Sequence, residues 1–173
     1  VLYRKENEIQ TELLQYPIGN TENEDSLYII PTTVRKIHSY SFEYSQITKV
    51  SIPNEVTEIG EYAFRFMTKL IQFEMNQQTN NEGSNFKVIE GVLIDKINNK
   101  LIQYPTSKTT EIYTMPEVST VSGYAFYGNE KLQFIHLSTI LTTIEDYAFY
   151  GLIDLRTITF PESLNKIQQG SFT

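Results

Sequence analysis

Apolar residues return along this chain in a fixed phrase. An apolar side chain is followed three and five positions later by two more: Ile47, Val50, Ile52; Leu70, Phe73, Met75; Leu132, Ile135, Leu137; Leu155, Ile158, Phe160. The last two of each triplet alternate with polar neighbours, the period-two signature of a short strand that sends every other side chain to one side. After each triplet a second apolar set follows at its own spacing: Val34, Ile37, Phe42; Val56, Ile59, Phe64; Val118, Val121, Phe126; Leu141, Ile144, Phe149; Leu164, Ile167, Phe172. The units are 22 residues apart from Pro31 to Pro53, 22 from Pro116 to Ser138 and 23 from Ser138 to Pro161. One such unit directs roughly six side chains inward and cannot bury them alone, so the pattern predicts coils stacked side by side. Val50, Phe73, Ile135 and Ile158 are then expected as neighbours in a shared interior.

Each unit also carries a variant of one turn phrase, written "IGEYAFRFMTKL" from Ile59, "VSGYAFYGNEKL" from Val121 and "IEDYAFYGLIDL" from Ile144. Its Ala is small enough for close backbone approach in a short helical turn, its Phe fills the core, and its Tyr covers the edge with the hydroxyl in water. Pro next to the last strand residue suits a chain leaving a sheet, since it donates no ladder hydrogen bond.

The combination I-P-x-x-V-x-x-I-x-x-Y-A-F with L-x-x-I-x-L closely resembles the BspA-type leucine-rich repeat over nearly the whole chain. The resemblance implies an α/β solenoid: a right-handed leucine-rich repeat superhelix with a parallel β-sheet on the concave face, short helical turns on the convex side and β-hairpin interludes. Three departures stand out. Ser138 replaces the expected Pro, Gly170-Ser171 replaces Tyr-Ala, and the Cys often found after the Phe turn is absent. The last coil is accordingly expected to be looser.

The period breaks between Pro53 and Pro116, which are 63 residues apart. The polar run "NQQTNNEGSN" from Asn76 reads as an exposed loop. In "FKVIEGVLIDKINNKLIQYP" two apolar stretches flank Asn98-Asn99, a pair that tolerates the positive φ of a tight hairpin. The N-terminus repeats this module: "VLY" at Val1 matches "VLI" at Val92, and "LLQYP" at Leu13 matches "LIQYP" at Leu101, with 88 residues from Pro17 to Pro105. Each module leads into a short strand with Tyr28 or Tyr113 facing inward. We therefore read 1–173 as a single repeat domain, with hairpin modules at 1–17 and 86–105 and regular repeats at 27–75 and 112–173. Val1 is not an initiator Met and Thr173 falls inside the repeat phrase, so the chain is expected to be a piece of a longer protein.

Charge and chemistry narrow the function. Fourteen Lys and Arg against 21 Asp and Glu give a net charge of −7, unsuited to a nucleic-acid groove or an anionic membrane surface. Without Cys there are no disulfides, thiol nucleophiles or thiolate metal sites. No apolar run reaches the length of a membrane span. His38 and His136 stand in no metal-binding or acid-base sequence motif, and the glycines of "GYAFYGNE" lack the Lys-Ser or Lys-Thr of a phosphate loop. Glu22, Glu24 and Asp25 form an acidic loop without the spacing of a calcium site. There is no Asn-x-Ser/Thr acceptor. No catalytic residue, metal or cofactor is expected, and the chain is read as non-enzymatic.

What remains is a surface. Adjacent parallel strands put equivalent outward residues in rows about 4.8 Å apart. The expected protein-binding residues of the concave face are Lys49 and Ser51, Gln72 and Glu74, Ile112 and Thr114, Phe134 and His136, Thr157 and Thr159, with Leu27 and Ile29 added by the first post-hairpin strand. The mixture is low in charge, with aliphatic spots and one aromatic ring, and suits a protein partner. Most of the twelve Tyr and ten Phe fall at packing positions, but Phe66, Tyr127 and Tyr150 lie on the outer turn. Proteins with BspA-type repeats are associated with surface or secreted adhesion to host matrix proteins, host cells or other microbes, and the resemblance implies that role here. The alternative is an intracellular protein-interaction scaffold or regulatory subunit.

Overall fold

A computed structural model describes residues 1–18, 26–76 and 83–172. The acidic cluster at Glu22, Glu24 and Asp25 and most of the polar run after Asn76 lie outside the described residues. The strands form where the triplets predict them. Leu27–Ile29, Lys49–Pro53 and Gln72–Asn76 make one parallel sheet, with Tyr28 opposite Val50 and Val50 opposite Phe73. Ile112–Thr114, Phe134–His136 and Thr157–Thr159 make a second, with Tyr113 opposite Ile135 and Ile135 opposite Ile158. Val50 and Phe73 are thus neighbours in one half and Ile135 and Ile158 in the other, so the single interior expected for all four is found only within each half. The 86–105 module separates the sheets: the Phe73 amide donates to the Gly91 carbonyl at 2.9 Å rather than to another coil. The core divides at the same place, with Leu93 in one cluster and its neighbour Val92 in the other.

A second layer of very short parallel strands runs along each half. Lys36–Ile37 pairs with Glu58–Ile59, and Thr120–Val121, Thr143–Ile144 and Lys166–Ile167 pair in turn. The hairpin modules join this layer. Ile9–Gln15 lies parallel to Lys36–Ile37, and Lys100–Gln103 parallel to Thr120–Val121. The 86–105 module is a three-stranded meander, because Phe86–Ile89 also pairs antiparallel with Val92–Asp95. Its first turn uses Glu90 and Gly91 at φ +50° and +80°. Its second follows Asp95, whose Oδ1 accepts from the Ile97 and Asn98 amides at 2.8 and 2.9 Å.

The expected helical turns are corrected by the backbone. Among the described residues there is no helix, and the architecture is a β-solenoid. Tyr40, Tyr62, Tyr124 and Tyr147 have φ of +61°, +58°, +60° and +55°, in the left-handed region that ends a right-handed helix. Each phrase instead makes two successive β-turns, as in Ala63 N to Gly60 O at 3.3 Å and Arg65 N to Tyr62 O at 3.2 Å. A positive φ at the third position of the first turn is the type II signature. The departures in the sequence now make sense. Gly170 takes the Tyr place at φ +63°, the conformation this position demands. Ser138, in the Pro place, is buried and its Oγ accepts from the Val118 amide of the preceding coil at 3.1 Å. Phe160, Ile167 and Phe172 in the last coil are 40% exposed or more, since the described residues place no further coil against them.

The residue before each Phe ties its coil to the preceding one through its backbone carbonyl, which Ser41 and Ser171 supply as Ala does elsewhere. The carbonyls of Ala63 and Ala148 each accept from the Phe amide of the preceding coil, Phe42 and Phe126, at 2.8 Å, and Ala125 accepts from Tyr104 at the same distance. This bonding brings the Phe rings into register, and Phe42 and Phe64 stack at 5.2 Å, Phe126 and Phe149 at 4.9 Å.

The two modules repeat an aromatic triangle almost identically. Tyr16, Tyr28 and Phe42 have centroids 4.7 to 5.9 Å apart; Tyr104, Tyr113 and Phe126 have 4.9 to 5.9 Å. They differ in one partner. The Tyr28 hydroxyl bonds to that of Tyr3, whereas the equivalent of Tyr3 is Ile94, and the buried Tyr113 hydroxyl has no hydrogen-bond partner among the described residues. Burial raises the pKa of both Tyr28 and Tyr113. A satisfied hydrogen bond contributes about 1 kcal/mol, while an unsatisfied buried group costs about 1–3 kcal/mol. Tyr28→Phe should therefore lower stability by about 1 kcal/mol in urea unfolding, and Tyr113→Phe should be neutral or stabilising. Equal losses from the two would overturn this difference.

Candidate protein-binding face

The outward residues of the two parallel sheets stand in the predicted rows. In the first sheet Leu27, Lys49 and Gln72 form one row, and Ile29, Ser51 and Glu74 the other. In the second, Ile112, Phe134 and Thr157 line up beside Thr114, His136 and Thr159. The second face is the more open. Ile112, Thr114, His136, Thr157 and Thr159 are exposed and Phe134 is half-buried. No Asp, Glu, Lys or Arg lies among these six.

The first sheet is more closed. Ser51 is only 5% exposed, because its small side chain lies between the longer Ile29 and Glu74 and beneath their reach. It therefore presents little surface of its own, whereas Ile29 beside it is exposed and Glu74 half-buried. Gln72 and Glu74 are half-buried and bonded to each other through Gln72 Nε2 and a Glu74 carboxylate oxygen. The meander turn packs beside them, since a side chain at Gly91 would come within 3.0 Å of Gln72 Cβ. Lys49 is also half-buried and engaged within the protein.

Two long-range clusters escaped the sequence motifs. His38 Nε2 meets Glu12 Oε2 at 2.6 Å, and Arg4 Nη1 reaches the same carboxylate at 2.8 Å, which ties the N-terminal hairpin to the first coil. His38, followed by Arg4, holds the Glu12 carboxyl below the usual carboxylate range. On the turn side, Arg65 pairs with Glu43 and lies against the rings of Tyr40, Phe66 and Tyr124 at 4.7, 4.9 and 5.4 Å. Phe66 also meets Tyr127 edge-on at 4.7 Å, so these rings splice the two halves together where the parallel sheet stops. Neither cluster was recoverable from local spacing, because the partners come from different coils. Among the described residues no group of His, Asp and Glu is arranged to hold a metal, and no helix is long and apolar enough to cross a membrane.

Known structures share this architecture. A leucine-rich repeat protein from Eubacterium ventriosum is 28% identical with a TM-score of 0.72, over 83% of this chain and 38% of its own. A leucine rich cell surface protein from Faecalibacterium prausnitzii is 23% identical with a TM-score of 0.67, over 94% of this chain and 48% of its own. The chain thus spans less than half the length of either. No curated protein matches the sequence. The family model of the BspA type leucine rich repeat region, of 6 copies, matches residues 20–98 and again 95–173. Strand register, turn phrase and Phe stacking agree with that match, and with the family model covering all but the N-terminal hairpin, the chain belongs to the BspA-type leucine-rich repeat family.

Proposed function

We propose that the chain is a non-enzymatic protein-binding module of a surface or secreted protein, attaching it to a host or microbial protein through the outward side of its strands. The observation that carries this reading is the open, nearly uncharged double row of the second sheet. Phe134 and Ile112 supply apolar anchors there, and the Thr and His side chains supply hydrogen-bonding groups around them. That composition matches a protein interface, in which charged residues are depleted at the centre and aromatic ones enriched. Gln72, Glu74 and Lys49 extend the surface across the first sheet. The surface placement rests on the family, and one of the similar structures is itself named a cell surface protein.

Attachment of the purified chain to surfaces coated with host matrix proteins, or to host cells, tests the proposal. Phe134→Ala with His136→Ala should weaken attachment by tenfold or more while leaving the melting transition in place, because both side chains point away from the core. Unchanged attachment would move the site off this face.

A further inference from the structure

The turn side carries a groove that the strand-face reading does not use. The register of the turn phrase shows its origin. Two residues after the core Phe, the chain carries Tyr44 and Phe66 in the first half but Gly128 and Gly151 in the second. All four adopt the left-handed region, with φ of +59°, +58°, +66° and +75°. Where the first half fills this place with rings, the second leaves it empty. Gly151 lies directly on Gly128, and a Cβ built on Gly128 would have only Thr106 Cγ2 nearby, at 3.9 Å. The result is a cavity of ≈ 460 Å³, walled by Tyr127 and Tyr150. This volume falls in the usual range of small-molecule sites, about 300–1,000 Å³.

Its polar side is built on one loop. Thr106, Ser107 and Thr109 line it together with Thr68 from the first half. Asn129 fixes the loop: fully buried, its Nδ2 donates to the carbonyls of Pro105, Thr106 and Lys108 at 3.3, 2.9 and 2.9 Å, while its Oδ1 accepts from the Lys131 and Leu132 amides at 2.9 Å. Met67 and Leu152 hold the same place in neighbouring turns, so the amide is specific to the coil that must carry this loop. Ser107 Oγ donates to the Thr68 carbonyl at 2.7 Å, which leaves its lone pairs to accept, and the Thr68 and Thr109 hydroxyls make no bond within the described residues. Glu130 and Lys131 stand exposed at the rim.

We propose that this groove is a carbohydrate site, taking one unit of a neutral glycan. The groups in it define the ligand. Thr68 and Thr109 can both donate and accept, while Thr106 and Ser107, whose hydrogens go to the Tyr127 and Thr68 carbonyls at 3.4 and 2.7 Å, can accept, and this set asks for a partner that does both. Tyr127 and Tyr150 stack on each other at 5.4 Å with planes 5° apart, so what they add to the groove is an apolar border beside those polar groups. A single acid and a single base at the rim give no cationic field for a phosphate or sulfate polymer. A lipid would leave the hydroxyls unpaired, at a cost. A peptide is disfavoured because turns line the groove and no sheet edge does, so there is no ladder for it to extend. A pyranose supplies alternating hydroxyls and an apolar ring face together.

Titration of the ¹⁵N-labelled chain with chitotriose, cellotriose, mannotriose and lactotriose, each to 10 mM on the order of ordinary weak-site concentrations, tests the assignment. At least one should shift the Gly128, Gly151 and Ser107 amides, saturate with a millimolar or tighter Kd, and leave the amides of Phe134 and His136 in place. Gly128→Phe, which puts at this place the ring that Phe66 contributes in the preceding turn phrase, should weaken that binding tenfold or more. Should Gly128→Phe fail to fold, Thr68→Val with Thr109→Val keeps the backbone and should reduce affinity at least fivefold. No shift at the groove with any of the four sugars, or equal affinity in the folded variants, would overturn the proposal. Shifts confined to the strand face would overturn it as well, and would leave the protein-binding reading to its own test.

Discussion

Phe149→Ala should lower stability by about 3–5 kcal/mol, the range for truncating a large buried ring. Phe149 is 1% exposed and stacks between Phe126 at 4.9 Å and Phe172 at 5.1 Å, with ring planes within 19° and 9° of parallel. The loss combines the transfer energy of the ring with a cavity that the bonded coils cannot close, since the Phe149 amide is itself held by the Ser171 carbonyl at 2.9 Å and the Ala148 carbonyl by the Phe126 amide. A single domain has only about 5–15 kcal/mol in total. The effect should also be local. Coils touch only their neighbours, so the turns around Phe149 should open before those around Phe42. Hydrogen exchange should show protection falling at Tyr147, Phe149 and Gln168 with little change at Phe42 and Tyr44, and urea unfolding should show an earlier midpoint. Phe172→Ala, at a ring already 40% exposed, should cost distinctly less. A loss below about 1 kcal/mol for Phe149→Ala would mean that its ring is not part of the core stack.

Much of this architecture is legible from side-chain order, and the reason is physical. A strand of three to five residues with Val50 or Ile135 at its centre leaves a period-two trace, and Phe residues 22 or 23 apart leave a long-period trace; both survive without any knowledge of neighbours. Two-residue strands such as Lys36–Ile37 leave none, because no period can be read from two positions. The Tyr-Ala-Phe phrase reads as a helical turn since its small Ala suits close backbone approach there and the resemblance implies one, but paired β-turns accept the same residues, and the φ of Tyr62 or Tyr147 decides between them. Gly170 in the Tyr place of the last coil is the one local sign of the left-handed backbone. The strand-face rows follow from register alone. The closure of Ser51 does not, because it depends on the lengths of Ile29 and Glu74 in adjacent coils. The groove shows the same division: Gly128 and Gly151 are visible as glycines, whereas their empty space becomes a cavity only when the loop at 105–109 is placed opposite them.

Asn129 is where that loop can be released. Replacing it with Ala removes two donors and an acceptor that together meet three carbonyls and two amides, all in a place with no exposure of the Asn side chain. If water reaches only some of the groups left behind, at about 1–3 kcal/mol for each buried and unpaired group, the loss should be about 3 kcal/mol or more. Asn129→Asp separates this from simple packing. The carboxylate keeps the acceptor side but faces three carbonyl oxygens, so the folded state favours the protonated form and raises the carboxyl pKa above its unfolded value of about 3.9. A group with a raised folded pKa gives its full stability below the unfolded pKa and loses it as pH rises through the folded one. The Asp variant should therefore approach the parent at low pH and fall away toward neutrality, whereas the Ala variant should show the same deficit at both ends. Because the loop carries Thr106 and Ser107, exchange protection at Ser107, whose amide donates to the Leu70 carbonyl at 2.8 Å, should drop in both variants at pH 7. A deficit in the Asp variant that does not change with pH would show that those carbonyls do not set the local balance, and that the loop is held by its packing against the coil instead.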